Sequence, residues 1–146
     1  MTLEEIQKLW SSDSLIDDSQ LDNESLKIPE LHHKYFRIFS DEKLKLVRMY
    51  SKQKAMRKLK WLYYTGKLDQ NTLENLNWQV FDLDIKKNKN DLEMFIESDK
   101  DILELFEKIA YQKEKNEYLE SIIKSLNTRG FQIKNAIEWK RFTMGN

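Results

Sequence analysis

Glycine and proline are scarce in this chain, with three glycines and one proline among 146 residues. Antiparallel sandwiches and barrels need a turn after roughly every 8–12 residues, and glycine and proline are the strongest turn residues. Leu, Lys, Glu and Ile dominate instead, as they do in helical proteins. The composition therefore predicts an all-α fold, a small helical bundle forming a single domain over residues 1–146. At most one short strand is expected, within residues 78–97.

Positive charge is concentrated in residues 43–67. This segment holds nine of the 25 basic residues and none of the 25 acidic ones, although the formal net charge of the chain is zero. It contains no proline, and its only glycine, Gly66, lies near its end. This pattern is typical of a helix that stops at a C′ glycine. We expect a basic helix that either starts near Ser40 or continues from the helix before it.

One face of this basic helix mixes cations with aromatic rings. Side chains at helical spacing, about 100° per residue, share one stripe. Single-stranded nucleic acid is bound by this combination, since cations follow phosphates and each stacked base contributes roughly 1–3 kcal/mol. The alternative is a solvated basic face that pairs with acidic segments of the protein. The stripe consists of Lys43, Val47, Tyr50, Lys54, Arg57, Lys58 and Trp61, with Tyr64 at its edge.

The segments before the basic helix carry helix-start signals. Thr2 followed by Glu5 fits a capping box, in which each residue's side chain accepts a hydrogen bond from the other's backbone N–H. Ser19 is a candidate N-cap for a helix that starts at Gln20. Pro29 removes one helical hydrogen bond, so we expect a kink or a restart there, with Pro29 in the first turn of the next helix.

Residues 67–97 alternate short apolar runs with Asn, Asp and Lys, which predicts a loop-rich connector. A short helix is expected over residues 73–78. An exposed turn is expected at 86–90, and residues 91–97 fit either a short strand or a helical turn.

Residues 98–142 are predicted to form the C-terminal helices. Ser98, together with Asp99 and Asp101, is expected to cap the first of them, because acidic and hydroxyl side chains suit a helix N-terminus. The polar run at 111–117 is expected to be solvent-exposed.

The sequence Asn-Thr-Arg-Gly at 127–130 predicts a helix stop of the Schellman type. The residues after it, 131–142, form a short, strongly amphipathic terminal helix. Such a helix either folds back on the core of its own chain or makes an oligomer contact, and the pattern alone favours neither.

Several kinds of chemistry are excluded by the residues present. The chain has no cysteine, so disulfides, thiolate zinc sites and cysteine nucleophiles are absent. Its three glycines cannot form a phosphate-binding loop or a dinucleotide turn. The adjacent pair His32 and His33 lacks metal-ligand spacing. These observations predict a binding protein that is not an enzyme and holds no cofactor or metal. The remaining candidates for a metal-dependent nuclease are the carboxylate pairs Asp17–Asp18, Asp82–Asp84 and Asp99–Asp101.

The N-terminus is acidic and amphipathic, unlike a signal peptide. No apolar run approaches the roughly 20 residues that a membrane-spanning helix needs. We therefore expect no membrane partner.

Four stretches resemble the UvsY-type recombination mediators of T4-like bacteriophages. The two longest are MRKLKWLYYTG at 56–66 and SLNTRGFQIKNAIEWKRFTMGN at 125–146. IDDSQL at 16–21 and SDKDIL at 98–103 are similar to family segments at matching spacing. The resemblance covers nearly the whole chain and is most specific in RGFQIK followed by R-x-F. The connector at 67–97 departs most from the family.

The resemblance implies a small helical phage protein without enzymatic activity, acting in the cytoplasm of the infected bacterial host. Such proteins bind single-stranded DNA during phage homologous recombination and recombination-dependent replication and repair. They load a RecA-like phage recombinase onto strands covered by the phage single-stranded DNA-binding protein. They work as homo-oligomeric rings, a hexamer or heptamer, which are closed symmetric assemblies.

The resemblance also implies roles for particular residues. The family's DNA-contacting basic pair falls on Lys58 and Lys60, where a lysine replaces one family arginine, so bidentate phosphate contact is not expected there. The family's C-terminal region drives assembly, which favours the oligomer contact for residues 131–142. The oligomerisation residues expected on this basis are Leu119, Ile122, Ile123, Leu126, Phe131, Ile133, Ile137 and Phe142.

The alternative function is a non-catalytic assembly or scaffolding protein. In that case the basic helix would pair with the acidic segment DLEMFIESDKDILE, residues 91–104, of a neighbouring chain. High salt would then dissociate the assembly itself, because exposed ion pairs are screened.

Overall fold

The computed structural model describes residues 1–83 and 89–145, and within these residues every regular element is an α-helix. The predicted all-α fold is thus confirmed. Asp84 and residues 86–88 of the predicted turn lie outside the described residues. The six helices are α1 Leu3–Asp13, α2 Leu21–Leu26, α3 Ile28–Tyr64, α4 Gln70–Leu76, α5 Lys89–Glu97 and α6 Lys100–Thr143.

The chain folds as two compact units. Unit 1 comprises Met1–Lys45 and Gln112–Asn146, and unit 2 comprises Leu46–Tyr111. The two longest helices, α3 and α6, contribute residues to both units.

Helix α1 begins at the predicted capping box. The Thr2 hydroxyl accepts from the Glu5 backbone N–H at 3.1 Å, and the Glu5 carboxylate accepts from the Thr2 N–H at 2.7 Å. The predicted Ser19 cap for α2 is wrong. Gln20 occupies the N-cap position, and the Ser19 hydroxyl instead donates to the Asp17 carboxylate at 2.6 Å.

Helix α3 runs without a break from Ile28 to Tyr64, with Pro29 in its first turn as predicted. No new helix starts at Ser40, because nothing after Pro29 interrupts the backbone hydrogen bonds. The end of α3 is a Schellman motif. Gly66 has a φ of 69°, its N–H donates to the Tyr63 carbonyl, and the Lys67 N–H donates to the Leu62 carbonyl.

Two short helices lie between α3 and α6. Helix α4 starts earlier than the helix predicted over 73–78, because the Asp69 carboxylate caps it by accepting from the Thr72 N–H at 2.9 Å. Residues 91–97 are helical rather than extended, since they belong to α5. That helix already begins at Lys89, so residues 89–90 do not form the predicted turn.

Helix α6 is 44 residues long. Of the three residues expected to cap it, Asp99 and not Ser98 is the N-cap, since the Asp99 carboxylate accepts from the Asp101 and Ile102 N–H groups at 2.9 and 3.2 Å. The predicted stop at 127–130 is absent. The polar run at 111–117 is partly buried, through Gln112, Lys115 and Asn116.

Tertiary contacts explain why α6 continues through the predicted stop. Arg129 is buried, and its guanidinium donates to the carbonyls of Asp13 and Ser14, both at 3.0 Å. The same guanidinium lies 5.4 Å from the centre of the Trp10 ring. Arg129 makes these contacts from within the helix, and they offset the cost of about 1 kcal/mol for Gly130 there.

The core of unit 1 is built by α1, α3 and α6. Tyr35 is fully buried, and its hydroxyl donates to the Asp13 carboxylate at 2.8 Å. Burial, followed by the bond to Asp13, raises the pKa of Tyr35 above its ordinary value. Each fully buried aliphatic side chain contributes roughly 1.5–3 kcal/mol. The buried cluster consists of Ile6, Tyr35, Leu119, Ile122 and Leu126.

A buried polar layer interrupts the apolar packing of unit 1. The Glu42 carboxylate accepts from Gln112 at 2.7 Å, from Lys45 at 3.0 Å and from Lys115 at 3.1 Å. Burial alone raises the pKa of Glu42, but these donors outweigh it and lower the pKa to about 2. Glu42 is therefore a buried carboxylate that stays ionised because it is fully paired.

The core of unit 2 is smaller. Leu92 and Ile96 of α5 pack with Ile102 of α6. Aromatic rings from α3, the connector and α5 complete this cluster, namely Tyr64, Phe81 and Phe95.

Candidate nucleic-acid interface

The basic face of α3 keeps an exposed row of cations and rings. Lys43, Tyr50, Lys54 and Lys58 are exposed, as expected from their spacing. Trp61 is 38% exposed, and the Lys67 ammonium lies 4.2 Å from the centre of its ring. This row offers ammonium groups to phosphates and two aromatic rings to bases.

Arg57 lies at the border of this row and is partly exposed. Its guanidinium donates to the Glu93 carboxylate at 3.2 Å, and nearly half of each side chain remains accessible. An exposed ion pair of this kind contributes at most about 1 kcal/mol. Arg57 can therefore leave Glu93 for a phosphate at little cost.

Lys60 does not lie on the exposed row. It is only 4% exposed, and its ammonium contacts Asp101 at 2.7 Å and Asp99 at 3.1 Å. The Trp78 ring centre lies 3.8 Å from the same ammonium. The structure thus uses Lys60 as an interior cation of unit 2 rather than as a surface charge.

Tyr64 is also engaged in the interior of unit 2. Its hydroxyl donates to the Asp99 carboxylate at 2.6 Å, and its ring lies edge-on to Phe81 with centroids 4.8 Å apart. Burial, and then the bond to Asp99, raises the pKa of Tyr64 above its ordinary value. This ring packs in the core and is not presented as a flat platform. Its neighbour Tyr63 donates to the Gln79 carbonyl at 2.6 Å.

Asp99 connects the two interior groups to the start of α6. Burial raises the pKa of Asp99, but hydrogen bonds from Tyr64, Lys60 and the Ile102 N–H outweigh it and hold the pKa below its ordinary value. One carboxylate therefore caps a helix, accepts a phenol and pairs with a lysine. Sequence reasoning identified Asp99 only as part of a cap, and Lys67 was missed because it follows the helix-ending glycine.

The residues expected to mediate oligomerisation fall into three groups by exposure. Leu119, Ile122 and Leu126 belong to the buried cluster of unit 1, and Ile133 is also buried. Ile123 and Ile137 are half-buried. Phe131 and Phe142 are 71% and 75% exposed, so these two rings face solvent in the single chain.

The described residues show no cluster of three or more His, Asp or Glu side chains that could hold a metal ion. Within the same residues, no helix is both long and apolar enough to span a membrane.

The four tryptophans occupy four different environments. Trp10 packs on Tyr35 in unit 1, with ring centroids 5.4 Å apart. Trp61 lies on the exposed row, and Trp78 lies against the Lys60 ammonium. Trp139 is 65% exposed near the end of α6 and contacts Phe142, with ring centroids 5.7 Å apart.

The described residues define an all-helical protein whose exposed lysines and aromatic rings form a surface of the type that binds single-stranded nucleic acid. A family model described as "Recombination, repair and ssDNA binding protein UvsY" matches residues 9–146. The chain therefore belongs to the UvsY family.

Individual relatives agree with this membership. The recombination protein UvsY of Enterobacteria phage T4 is 24% identical over 145 residues, which cover 99% of each chain. Two crystal structures of the bacteriophage T4 recombination mediator protein UvsY have the same fold. One has a TM-score of 0.83 at 23% identity, covering 99% of this chain and 98% of that one. The other has a TM-score of 0.81 at 22% identity, covering 95% and 98%.

Proposed function

We propose that this chain is a recombination mediator. It binds single-stranded DNA and helps to load a RecA-like phage recombinase onto strands covered by the phage single-stranded DNA-binding protein. It acts as a homo-oligomeric ring of six or seven chains in the cytoplasm of the infected host. It catalyses no reaction, needs no cofactor and uses no membrane.

The observation that carries this proposal is the exposed row on α3 in a chain of the UvsY family. Lys54, Lys58 and Trp61 are within two turns of each other and face solvent, so one strand can contact all three. Each chain alone would bind weakly. A ring repeats the row, and later contacts form at high effective concentration.

Sequence preference should be small, because phosphate contacts and stacking do not read base edges. The row supplies no side chain that must pair with a particular base. Binding should instead depend steeply on salt, since each neutralised phosphate releases counterions.

The scaffolding alternative is weakened by the ion pairs of unit 2. Glu93, Asp99 and Asp101 of the acidic segment already pair with Arg57 and Lys60 of the same chain. The acidic segment of a neighbour is therefore not needed to neutralise these two cations.

The test is anisotropy of a labelled single-stranded oligonucleotide, titrated at several salt concentrations with light scattering on the same samples. We expect tight, salt-sensitive binding by a particle of several chains. Lys54→Gln with Lys58→Gln should weaken binding and flatten the salt slope by about 0.7 per lost phosphate contact. The matched control is Lys108→Gln, which removes an exposed lysine of α6 outside the row. Equal binding by the double variant and the control would refute the DNA role of the row.

A further inference from the structure

Two of the chain's exposed apolar surfaces lie outside the row on α3. The first, here called the terminal face, consists of Phe131, Trp139 and Phe142 of α6. All three are at least 65% exposed. Phe131 and Phe142 are separated by about three helical turns and so lie on one side of α6, and Trp139 contacts Phe142.

The second surface, here called the unit 2 groove, lies between α3, α5 and the first turns of α6. One cleft of about 360 Å³ is lined by Arg57, Leu103 and Phe106 among others. A second cleft of about 460 Å³ shares Glu97 and Leu103 with the first and adds Met94. Phe106 and Met94 are 60% and 59% exposed, so the groove is open to a partner.

The charges flanking the two surfaces are complementary. Glu93 and Glu97 border the groove, and Arg57, which also lines it, pairs with Glu93. Lys134 and Arg141 are exposed on one stripe of α6 beside the terminal face, and Glu138 is the acidic residue among them. An apolar centre with opposite charges at its rim is the arrangement found in specific protein interfaces.

Other pairings fit less well. Two terminal faces placed together would carry the same cations, Lys134 and Arg141, at both rims, with Glu138 as the acidic residue of each. Leu44 and Val47 form another exposed apolar pair on α3, but Lys43 and Arg48 adjoin them in the sequence. Like charges across an interface cost several kcal/mol, so both arrangements are disfavoured.

We infer that the terminal face of one copy docks into the unit 2 groove of a second copy. This inference rests on the self-assembly in the proposed function and adds the surface that receives the C-terminal helix. Because the contact joins two different surfaces, one copy keeps a free groove and the other keeps a free terminal face. Contacts of this kind generate closed rings when the rotation between copies closes.

The test uses one variant for each surface. Phe106→Glu places a charge in the groove, and Trp139→Glu places one on the terminal face. Both residues are exposed, so circular dichroism should show folded helices for each variant. Each variant alone should sediment as a single chain. The control Leu26→Glu changes a 79% exposed leucine of α2 outside both surfaces and should assemble like the parent.

Mixing the two variants gives the decisive result. The groove of the Trp139→Glu chain and the face of the Phe106→Glu chain are intact, so exactly one contact can form. We expect a 1:1 complex of two chains that grows no further. Two unassociated chains in the mixture would overturn the inference, because the intact groove and the intact face would then not be partners.

A charge exchange provides an independent check. Glu97→Lys and Arg141→Glu should each weaken assembly at low salt, and the chain carrying both changes should recover it. Absence of recovery would contradict the pairing of these rims.

These outcomes separate this inference from the proposed function. If the parent and the Phe106→Glu variant both assemble, the proposed ring stands and only the role of the groove is overturned. A parent that sediments as a single chain overturns the assembly and the groove together. DNA binding by that parent, measured by anisotropy, would still support the row on α3.

Discussion

Lys58 and Lys60 are two positions apart on α3 and have different surroundings. The Lys58 side chain faces solvent, whereas Lys60 lies between two carboxylates and an indole ring. Positions two apart point to different sides of a helix, so the two ammonium groups of such a pair do not lie on one face. Counting charged residues in the sequence cannot distinguish the exposed lysine from the interior one, because only tertiary contacts determine which lysine is covered.

We predict that Lys60→Met destabilises the protein by about 3–5 kcal/mol, because it leaves Asp99 buried without its cation. Thermal unfolding measures this loss. Lys58→Gln, the matched surface change, should shift stability by no more than about 0.5 kcal/mol. In binding titrations on folded protein, Lys58→Gln should flatten the salt slope and Lys60→Met should not. A stable Lys60→Met protein with a flatter slope would contradict the interior role.

Glu42 predicts how stability depends on acid. Its pKa is about 2 in the folded chain and about 4.5 when unfolded, so its pairing stabilises the fold above pH 4.5. That contribution is lost as the pH falls from about 4.5 towards 2, because the unfolded chain takes up the proton first. The free energy of unfolding, measured with denaturant across this pH range, should fall accordingly. Glu42→Gln should weaken the dependence of the unfolding free energy on pH. An unchanged pH dependence would contradict the assigned role of Glu42.

At the scale of elements, the ends of the helices were predicted with uneven success. Gly66 was correctly expected to end α3, because its positive φ is a local property of the chain. Gly130 lies in a similar sequence context, yet α6 continues through it. The difference is Arg129, which hydrogen-bonds the end of α1 more than a hundred residues away. Such contacts are invisible to local patterns.

The two glycines provide a matched pair of substitutions. A Cβ at Gly130 would meet only the Ile28 side chain, at an ordinary 4.0 Å. We predict that Gly130→Ala stabilises the protein by about 0.5–1 kcal/mol, since alanine loses less entropy in a helix. Gly66→Ala should destabilise it, because a side chain is strained at a φ of 69°. Thermal unfolding checks both, and a destabilised Gly130→Ala would show that α6 does not tolerate a helix-favouring residue there.

At the scale of the whole molecule, the helical class followed from composition and the DNA-binding hypothesis from charge. The division into two units could not be predicted from the sequence, because α3 and α6 contribute to both units and no sequence feature marks a boundary. Nor was the polar layer around Glu42 foreseen. Gln112, Lys115 and Asn116 look like an exposed polar stretch, but they are buried beside Glu42, which accepts hydrogen bonds from two of them.

The proposed ring and its DNA surface should respond differently to salt. Contacts of the exposed row with phosphates would be screened at high ionic strength, whereas apolar contacts between chains are not. We predict that rising salt releases the oligonucleotide while the particle keeps its size. Anisotropy and light scattering on one sample measure both. Dissociation of the particle before the DNA would favour an assembly held by ion pairs.

The separation of the four tryptophans makes the protein its own optical probe. The emission of an indole depends on its immediate surroundings, and each ring here reports on a different part of the molecule. Trp61 would sense a stacked base, Trp139 a docking neighbour, Trp78 the state of the Lys60 cluster and Trp10 the packing of unit 1. A set of chains that each retain one tryptophan, with phenylalanine at the other three positions, would follow these events separately in solution without an attached dye.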